Sequence, residues 1–251
     1  MTVLITGASS GIGLEFAKIF AREGNDLVLV ARRGDRLEAL KTEIESTTQR
    51  SVQLLIEDLS KEGAAQRIVS ALSGKQIDVL VNNAGSGDAG LFIESSLEKT
   101  QAMMQLNMIA LTELTRLLLP SMVKCGKGGI LNLASIAAFV PGPTMSVYFA
   151  SKAFVLSFSE AISKELEGTG VSVTVLCPGA TSTEFDMAAG SDWGETYRKH
   201  LPTGKEVAQF GYDALIRGKQ IAIYGWKNCL MIFLVRLLPR NVVTNFVRTL
   251  L

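Results

Sequence analysis

The chain has 251 residues, 47% hydrophobic and 20% charged, with a formal net charge of +1. That size fits one α/β domain with a large core, the composition excludes a disordered or fibrous chain, and the near-neutral charge argues against a dedicated nucleic-acid binder. Three scattered cysteines, Cys125, Cys177 and Cys229, form no CxxC pair and point to reduced thiols in a cytoplasmic setting.

Short apolar runs alternate with helical patterns along the chain. Residues 2–6 (TVLIT) read as a buried strand, 14–23 as a helix, 26–31 as a strand and 35–45 as a helix. Strands follow at 51–58 and 77–85, with a helix around 63–72 between them, and a long helix is predicted over 97–119. A strand at 128–135, a helix from about 146 to 167, and strands at 171–179 and 220–225 complete the pattern. Near-continuous β-branched runs imply strands covered on both faces. Strands alternating with helices imply right-handed crossovers. The fold class is therefore α/β: a single-domain, Rossmann-like, doubly wound parallel sheet of about seven strands, with helices on both faces. Residues 180–204, rich in small and polar residues, read as an insertion covering a site. No basic leader precedes the first strand, and no stretch reaches the roughly 18 apolar residues of a spanning helix. A soluble or at most surface-bound protein is expected.

The first strand ends in TGASSGIG (6–13), which places Gly7, Gly11 and Gly13 in a strand-to-helix turn. Glycine there lets backbone N–H groups approach a pyrophosphate, and the helix N-terminus adds positive potential. The spacing is GxxxGxG rather than GxGxxG, and no Lys-Ser/Thr follows, so it is not a Walker loop. A glycine-rich turn without a ligand is the plainer alternative. The second strand ends in VARRGD: Ala31 stands where a carboxylate would bind a ribose 2′-hydroxyl, and Arg32 and Arg33 follow. Guanidinium groups without a competing carboxylate favour a 2′-phosphate, hence NADP(H) over NAD, against the alternative of two solvated arginines. Tyr148 and Lys152, in SVYFASKAF (146–154), share one helix face one turn apart. On spacing alone they make an ordinary surface pair.

Taken together, TGASSGIG (6–13), DL (58–59), NNAG (82–85), Asn107 in LNMIAL, Ser135 in NLAS, YFASK (148–152) and PGATST (178–183) resemble the short-chain dehydrogenase/reductase family in content and order. The likeness covers residues 2 to about 183. The arginine pair and the tail 224–240 resemble NADP-preferring hydroxysteroid and 3-ketoacyl reductases. The resemblance implies a catalytic tetrad of Asn107, Ser135, Tyr148 and Lys152, with Asn107 holding a water in a proton relay through Lys152. It implies that Ser9, Ser10 and Ile12 join the three glycines as cofactor contacts, and that Tyr148 and Lys152 also touch the cofactor. Asp58 would lie near the adenine with Leu59 beside it. Asn83, Ala84 and Gly85 would support the ribose, and Pro178, Gly179, Thr181 and Thr183 would border the nicotinamide carboxamide.

Carbonyl reduction needs a hydride, which a nicotinamide supplies, and a proton for the developing alkoxide. A free tyrosine has a pKa of about 10, and bringing it near 7 requires roughly 4 kcal/mol. A lysine ammonium one turn away provides part of that. Ser135, at a strand end, can donate to the substrate oxygen. With the glycine loop and Ser135 both present, the proton-transfer role for Tyr148 and Lys152 is preferred over the surface pair. The expected activity is an NADP(H)-dependent interconversion of a carbonyl and a secondary alcohol on a small or lipophilic substrate. The alternative is a non-catalytic NADPH-sensing or membrane-associated regulatory protein on the same fold. Epimerase or dehydratase chemistry is disfavoured, because little chain follows the last strand.

Other residues read more plainly. His200, the only histidine, has no partner cluster in the sequence, and no metal site is expected. Cys177 reads as a small buried residue rather than a nucleophile. Phe185, Met187, Trp193 and Tyr197 either line an apolar pocket or pack down as a surface loop. The tail, 226–251, carries Lys227, Arg236, Arg240 and Arg248 among many apolar residues and has no acid. Packing against the domain or a second subunit is the preferred reading, with peripheral membrane contact the other. A homodimer or tetramer is expected, the tail favouring the dimer.

Overall fold

The structure is a computed structural model and describes residues 1–185, 189–190 and 200–250. Strand β1 (Thr2–Thr6) leads to helix α1 (Gly11–Arg22), β2 (Asp26–Ala31), α2 (Gly34–Thr48), β3 (Val52–Ile56), α3 (Ala64–Ala71) and β4 (Val79–Asn82). The chain continues through α4 (Leu97–Met104), α5 (Leu111–Cys125), β5 (Gly128–Leu133), α6 (Ser146–Glu165) and β6 (Val171–Cys177). Helix α7 (Gly204–Ile216), strand β7 (Ile221–Ile223) and two terminal helices, α8 (Trp226–Val235) and α9 (Arg240–Leu250), follow. The strands form one seven-stranded parallel sheet in the order β3-β2-β1-β4-β5-β6-β7.

Alternate strand residues feed two cores. Val3, Ile5, Leu27 and Leu29 face one side, with Phe16 and Phe20 of α1, Leu37 of α2 and Val207 of α7. Leu4, Val28, Val30 and Leu80 face the other, with Ile68 of α3 and Leu114 and Leu118 of α5. Both faces are buried, which is why these strands read as unbroken apolar runs.

Five strands stop short of their expected C-terminal ends: the ladders close at Ile56, Asn82, Leu133, Cys177 and Ile223. The small and apolar residues beyond them leave the sheet and line a crevice instead. The helix expected over 97–119 runs on to Cys125, through Pro120, and is interrupted by a π-helical stretch at Gln105–Ala110. One 18-residue window of this 29-residue segment reaches a mean hydropathy of 1.2, so by length and composition the segment could cross a membrane. Its apolar side nonetheless covers the sheet: Leu114, Leu118 and Met122 belong to the same core as Leu4 and Leu80. Helix α7 was not foreseen. Its signature is a capping box, in which Glu206 N donates to Thr203 Oγ1 (3.2 Å) and Thr203 N donates to Glu206 Oε2 (2.7 Å).

After β1 the chain turns to the face that carries α1, and after β4 to the face that carries α5. The strand order reverses between these neighbours, which opens a crevice at their carboxyl ends. Gly7 turns out of β1 with φ +67°, and a Cβ at Gly13 would run into Gly7 O and Asn83 Nδ2. Gly13→Ala is therefore expected to lower stability by roughly 1–3 kcal/mol. Urea unfolding checks this; an unchanged midpoint would show that the turn can relax around a methyl group.

Candidate active site

Thr6 fixes the crevice. Its hydroxyl donates to Val81 O (3.3 Å) and accepts from Asn83 N and Ala84 N (both 3.0 Å). Asn83 Nδ2 returns to Thr6 O (2.9 Å) and Gly7 O (3.3 Å). The glycine loop and the 83–85 loop are thereby held side by side.

At the start of α1 the usual serine cap is missing. Ser10 makes no side-chain cap bond, and its Oγ instead accepts from Arg33 (2.6 Å), as Ser9 Oγ does (3.2 Å). The first helical N–H groups therefore keep their capacity for an anion. Arg33 and Arg36 both hold Glu184, at 2.8 and 2.6 Å. Hydrogen bonds from Arg33 and then Arg36 keep the Glu184 carboxyl below its usual range. A carboxylate thus stands on the guanidinium that the sequence assigned to a phosphate. Burial pushes the Asp58 carboxyl up, but the Ser60 hydroxyl and amide, with Arg32 and Lys61, outweigh it and hold it low.

The second half of the crevice is built by β5 and α6. Ser135 follows β5; its Oγ accepts from Ala137 N (3.1 Å) and makes only a long bond to Pro178 O (3.4 Å), which leaves it easily rotated. Tyr148 and Lys152 lie one turn apart on α6, with Lys152 Nζ 5.7 Å from the Tyr148 ring centroid. Lys152 Nζ donates to Leu133 O (2.8 Å) and is buried. Burial lowers its pKa from 10.5 to about 8. Cys177 opposes that shift only weakly, because its own burial pushes the thiol up to about 12 and keeps it protonated. That agrees with reading Cys177 as a core residue.

Asn107 lies in the π-helical stretch, a device frequent at functional sites. Its Oδ1 accepts from Ser86 N (2.9 Å), and its Nδ2 donates to Ser86 O (2.9 Å) and Ser151 Oγ (3.0 Å). Ser151 Oγ in turn donates to Tyr148 O (2.7 Å). Gly85 sits between the two polar groups: a Cβ there would lie 3.3 Å from Asn107 Oδ1 and 3.4 Å from Lys152 Nζ.

These elements enclose one cavity of about 1070 Å³. Gly7, Ser9, Ser10, Gly11 and Ile12 line it at one end, with Arg32, Arg33, Asp58 and Leu59. Asn83, Ala84 and Gly85 form its floor. Ser135, Tyr148 and Lys152 face Pro178, Gly179, Thr181 and Thr183 across it. Two predicted residues stay off the wall: Gly13, packed under Gly7, and Asn107, which is buried behind Gly85. Phe185 meets Tyr148 with ring centroids 5.4 Å apart, whereas Met187, Trp193 and Tyr197 lie outside the described residues. Glu184 and the contributions of Trp226, Asn228, Met231 and Val247 were missed. Each is brought in from far along the chain, with no local spacing signal.

The profile of the short chain dehydrogenase family matches residues 1–193. The chain is 39% identical over 183 residues to 17-beta-hydroxysteroid dehydrogenase type 3 of Homo sapiens, covering 72% of this chain and 59% of that protein's length. A short-chain dehydrogenase from Sphingobium yanoikuyae in complex with NADPH superposes with a TM-score of 0.84 at 36% identity, covering 90% of this chain and 88% of that one. The bulky-bulky ketone specific alcohol dehydrogenase from Comamonas testosteroni superposes with a TM-score of 0.80 at 29% identity, covering 94% and 91%. The chain belongs to the short-chain dehydrogenase family and is an oxidoreductase of that family.

The buried ammonium generates a stability prediction. The folded pKa of Lys152 is depressed, so between pH 8 and 10.5 the unfolded chain binds more protons than the native one. The penalty is complete below pH 8 and relieved as pH rises toward 10.5. A depression of that size corresponds to about 3 kcal/mol. The stability of Lys152→Met relative to wild type is therefore expected to be greatest at neutral pH and to decline by up to that amount by pH 10.5. Urea titrations across this range test it; parallel curves would overturn the assignment.

Proposed function

We propose that the protein is an NADP(H)-dependent oxidoreductase interconverting a carbonyl and a secondary alcohol, with Tyr148 as the acid/base. The observation that carries this reading is the meeting of Ser135, Tyr148 and Lys152 in the same cavity as the glycine loop and Arg33. The residues present suit a dinucleotide. A cavity of about 1070 Å³ runs from the glycine loop to Tyr148, α1 begins without a side-chain cap, and Arg33 lies against Ser9 and Ser10 of the same loop. Bound there, a reduced nicotinamide supplies the hydride.

In the reduction direction the Ser135 hydroxyl turns from its long bond to Pro178 and donates to the substrate oxygen. Tyr148 delivers its phenolic proton to that oxygen as negative charge develops. Lys152, an ammonium below pH 8, stabilises the resulting phenolate across one helical turn. Asn107 acts by position: its amide bonds fix Ser86 and, through Ser151, the turn of α6 bearing Tyr148. A water-mediated relay from Lys152 would return the proton.

The substrate we assign is a lipophilic ketone. Val140, Met145, Phe149 and Phe185 give the catalytic end apolar walls, and the superposed alcohol dehydrogenase from Comamonas testosteroni is specific for bulky-bulky ketones. Both described ends of the segment 180–204 border the cavity, Thr181 and Thr183–Phe185 on one side and Leu201 and Pro202 on the other, which supports its reading as a substrate cover. A homodimer is supported by the exposed apolar Ile109, Leu117 and Phe154 on the α5 and α6 side.

Tyr148→Phe is expected to lose at least about 100-fold in turnover on a ketone panel while still binding NADPH; normal turnover would remove Tyr148 from the mechanism. Arg33→Ala and Arg32→Ala are expected to weaken NADPH relative to NADH by roughly tenfold or more. Glu184→Gln, which removes the carboxylate competing with the 2′-phosphate, should shift the ratio the opposite way. Fluorescence titration with both cofactors reads each ratio; equal affinities unchanged by all three substitutions would defeat the NADP(H) assignment.

A further inference from the structure

The tail buries only part of its apolar residues in the domain. Ile232, Val243 and Val247 anchor α8 and α9, each at most 9% exposed. Opposite them, Trp226, Leu230, Phe233 and Leu237 recur at helical spacing along α8 and the turn after it, between 50% and 72% exposed. Val242 and Phe246, one turn apart on α9, are 51% and 58% exposed. Leu234 and Leu238 extend the same apolar surface. Solvent-exposed aromatic and leucine side chains in such number mark a contact surface rather than ordinary scatter.

The charges on the same two helices decide what this surface contacts. Lys227, Arg236, Arg240 and Arg248 are all exposed, and none forms an ion pair among the described residues. No acidic residue lies between 226 and 251. A second copy docked through the same face by a two-fold axis would set four cations against four cations with no carboxylate of the tail to balance them. A surface that is apolar within and anionic at its edge matches both properties at once.

We propose that α8 and α9 form a docking face for an anionic lipid bilayer, with the apolar stripe entering the headgroup boundary and the four cations on lipid phosphates. The same two helices line the cavity that holds Tyr148, through Trp226, Met231 and Val247. Docking therefore brings the cavity wall against the lipid phase in which a lipophilic ketone dissolves. That consequence rests on the proposed reductase activity, whereas the docking itself does not.

The test is flotation of the full chain with vesicles of phosphatidylcholine mixed with phosphatidylglycerol, and with pure phosphatidylcholine. Binding is expected to the mixed vesicles and to decline steeply with salt. Arg236→Glu with Arg240→Glu should weaken it by at least about fivefold per charge. Phe233→Ser with Leu237→Ser should weaken it at every salt concentration. Unchanged thermal midpoints in both variants show that the fold persists; a variant that unfolds is replaced by Leu230→Ser or Arg248→Gln. Absence of binding to either vesicle overturns the proposal, as does equal, salt-independent binding to both. So does a wild-type dimer in sedimentation that Phe233→Ser with Leu237→Ser converts to monomer without any vesicle binding.

Discussion

The Thr6 hydroxyl and the Asn83 amide, bridging the ends of β1 and β4, are the constraint on which the site depends. These two parallel neighbours leave the sheet toward opposite faces, so nothing in the sheet ladder holds their continuations together. Thr6 Oγ1 and Asn83 Nδ2 do so with bonds to backbone atoms. From there the backbone leads from Asn83 to Gly85, where a Cβ would stand against Asn107 and Lys152, and Asn107 bonds through Ser151 to the backbone of Tyr148. Several links exist only because a glycine has no Cβ. Geometry at the tyrosine is thus inherited from the junction of two strands that contribute no proton-transfer group.

The carboxyl half of the sheet is polar to a degree its apolar strands do not suggest. Asn82 Nδ2 donates to Asn132 Oδ1 (2.9 Å) and Thr115 Oγ1 (3.1 Å), and Asn132 Nδ2 to Ser159 Oγ (2.9 Å). This ladder ties β4 and β5 to α5 and α6 at the level where Lys152 enters. Buried polar groups of this kind add little net stability, but they penalise any shift of register that would leave them unpaired. Lys152 itself is a net cost while charged. The apolar layers around Phe16, Phe20, Leu114 and Leu118 offset it, so stability is concentrated away from the crevice and polarity within it.

What the sequence made legible was local. The strands announced themselves through burial on both faces and the glycine loop through its spacing in one turn, whereas Ser135, Tyr148 and Lys152 stood out only as members of an ordered set of motifs. Strand ends ran too long because apolar residues facing a crevice look the same, in one dimension, as apolar residues facing a neighbouring strand. The π-helical stretch at Asn107 left no trace, and the partners of that side chain, Ser86 and Ser151, lie 21 and 44 positions away. Glu184 was illegible for the same reason: its partners lie 151 and 148 positions away. The tail's composition was visible, but whether its apolar face would be covered depended on packing that only three dimensions supply.

The segment that follows β6 ties the two ends of the cavity together in three consecutive residues. Thr183 packs beside Gly11, Glu184 holds Arg33 and Arg36, and Phe185 stands against the ring of Tyr148. Backbone continuity means that none of the three can move far alone. On the NADP(H) reading, a 2′-phosphate and the Glu184 carboxylate compete for the same guanidinium, and the dianion makes the stronger charge-assisted bonds. Displacing Glu184 then carries Phe185 with it and changes what faces the phenol. On that reading, charge at the ribose end is felt at the proton-transfer end through the backbone of three consecutive residues.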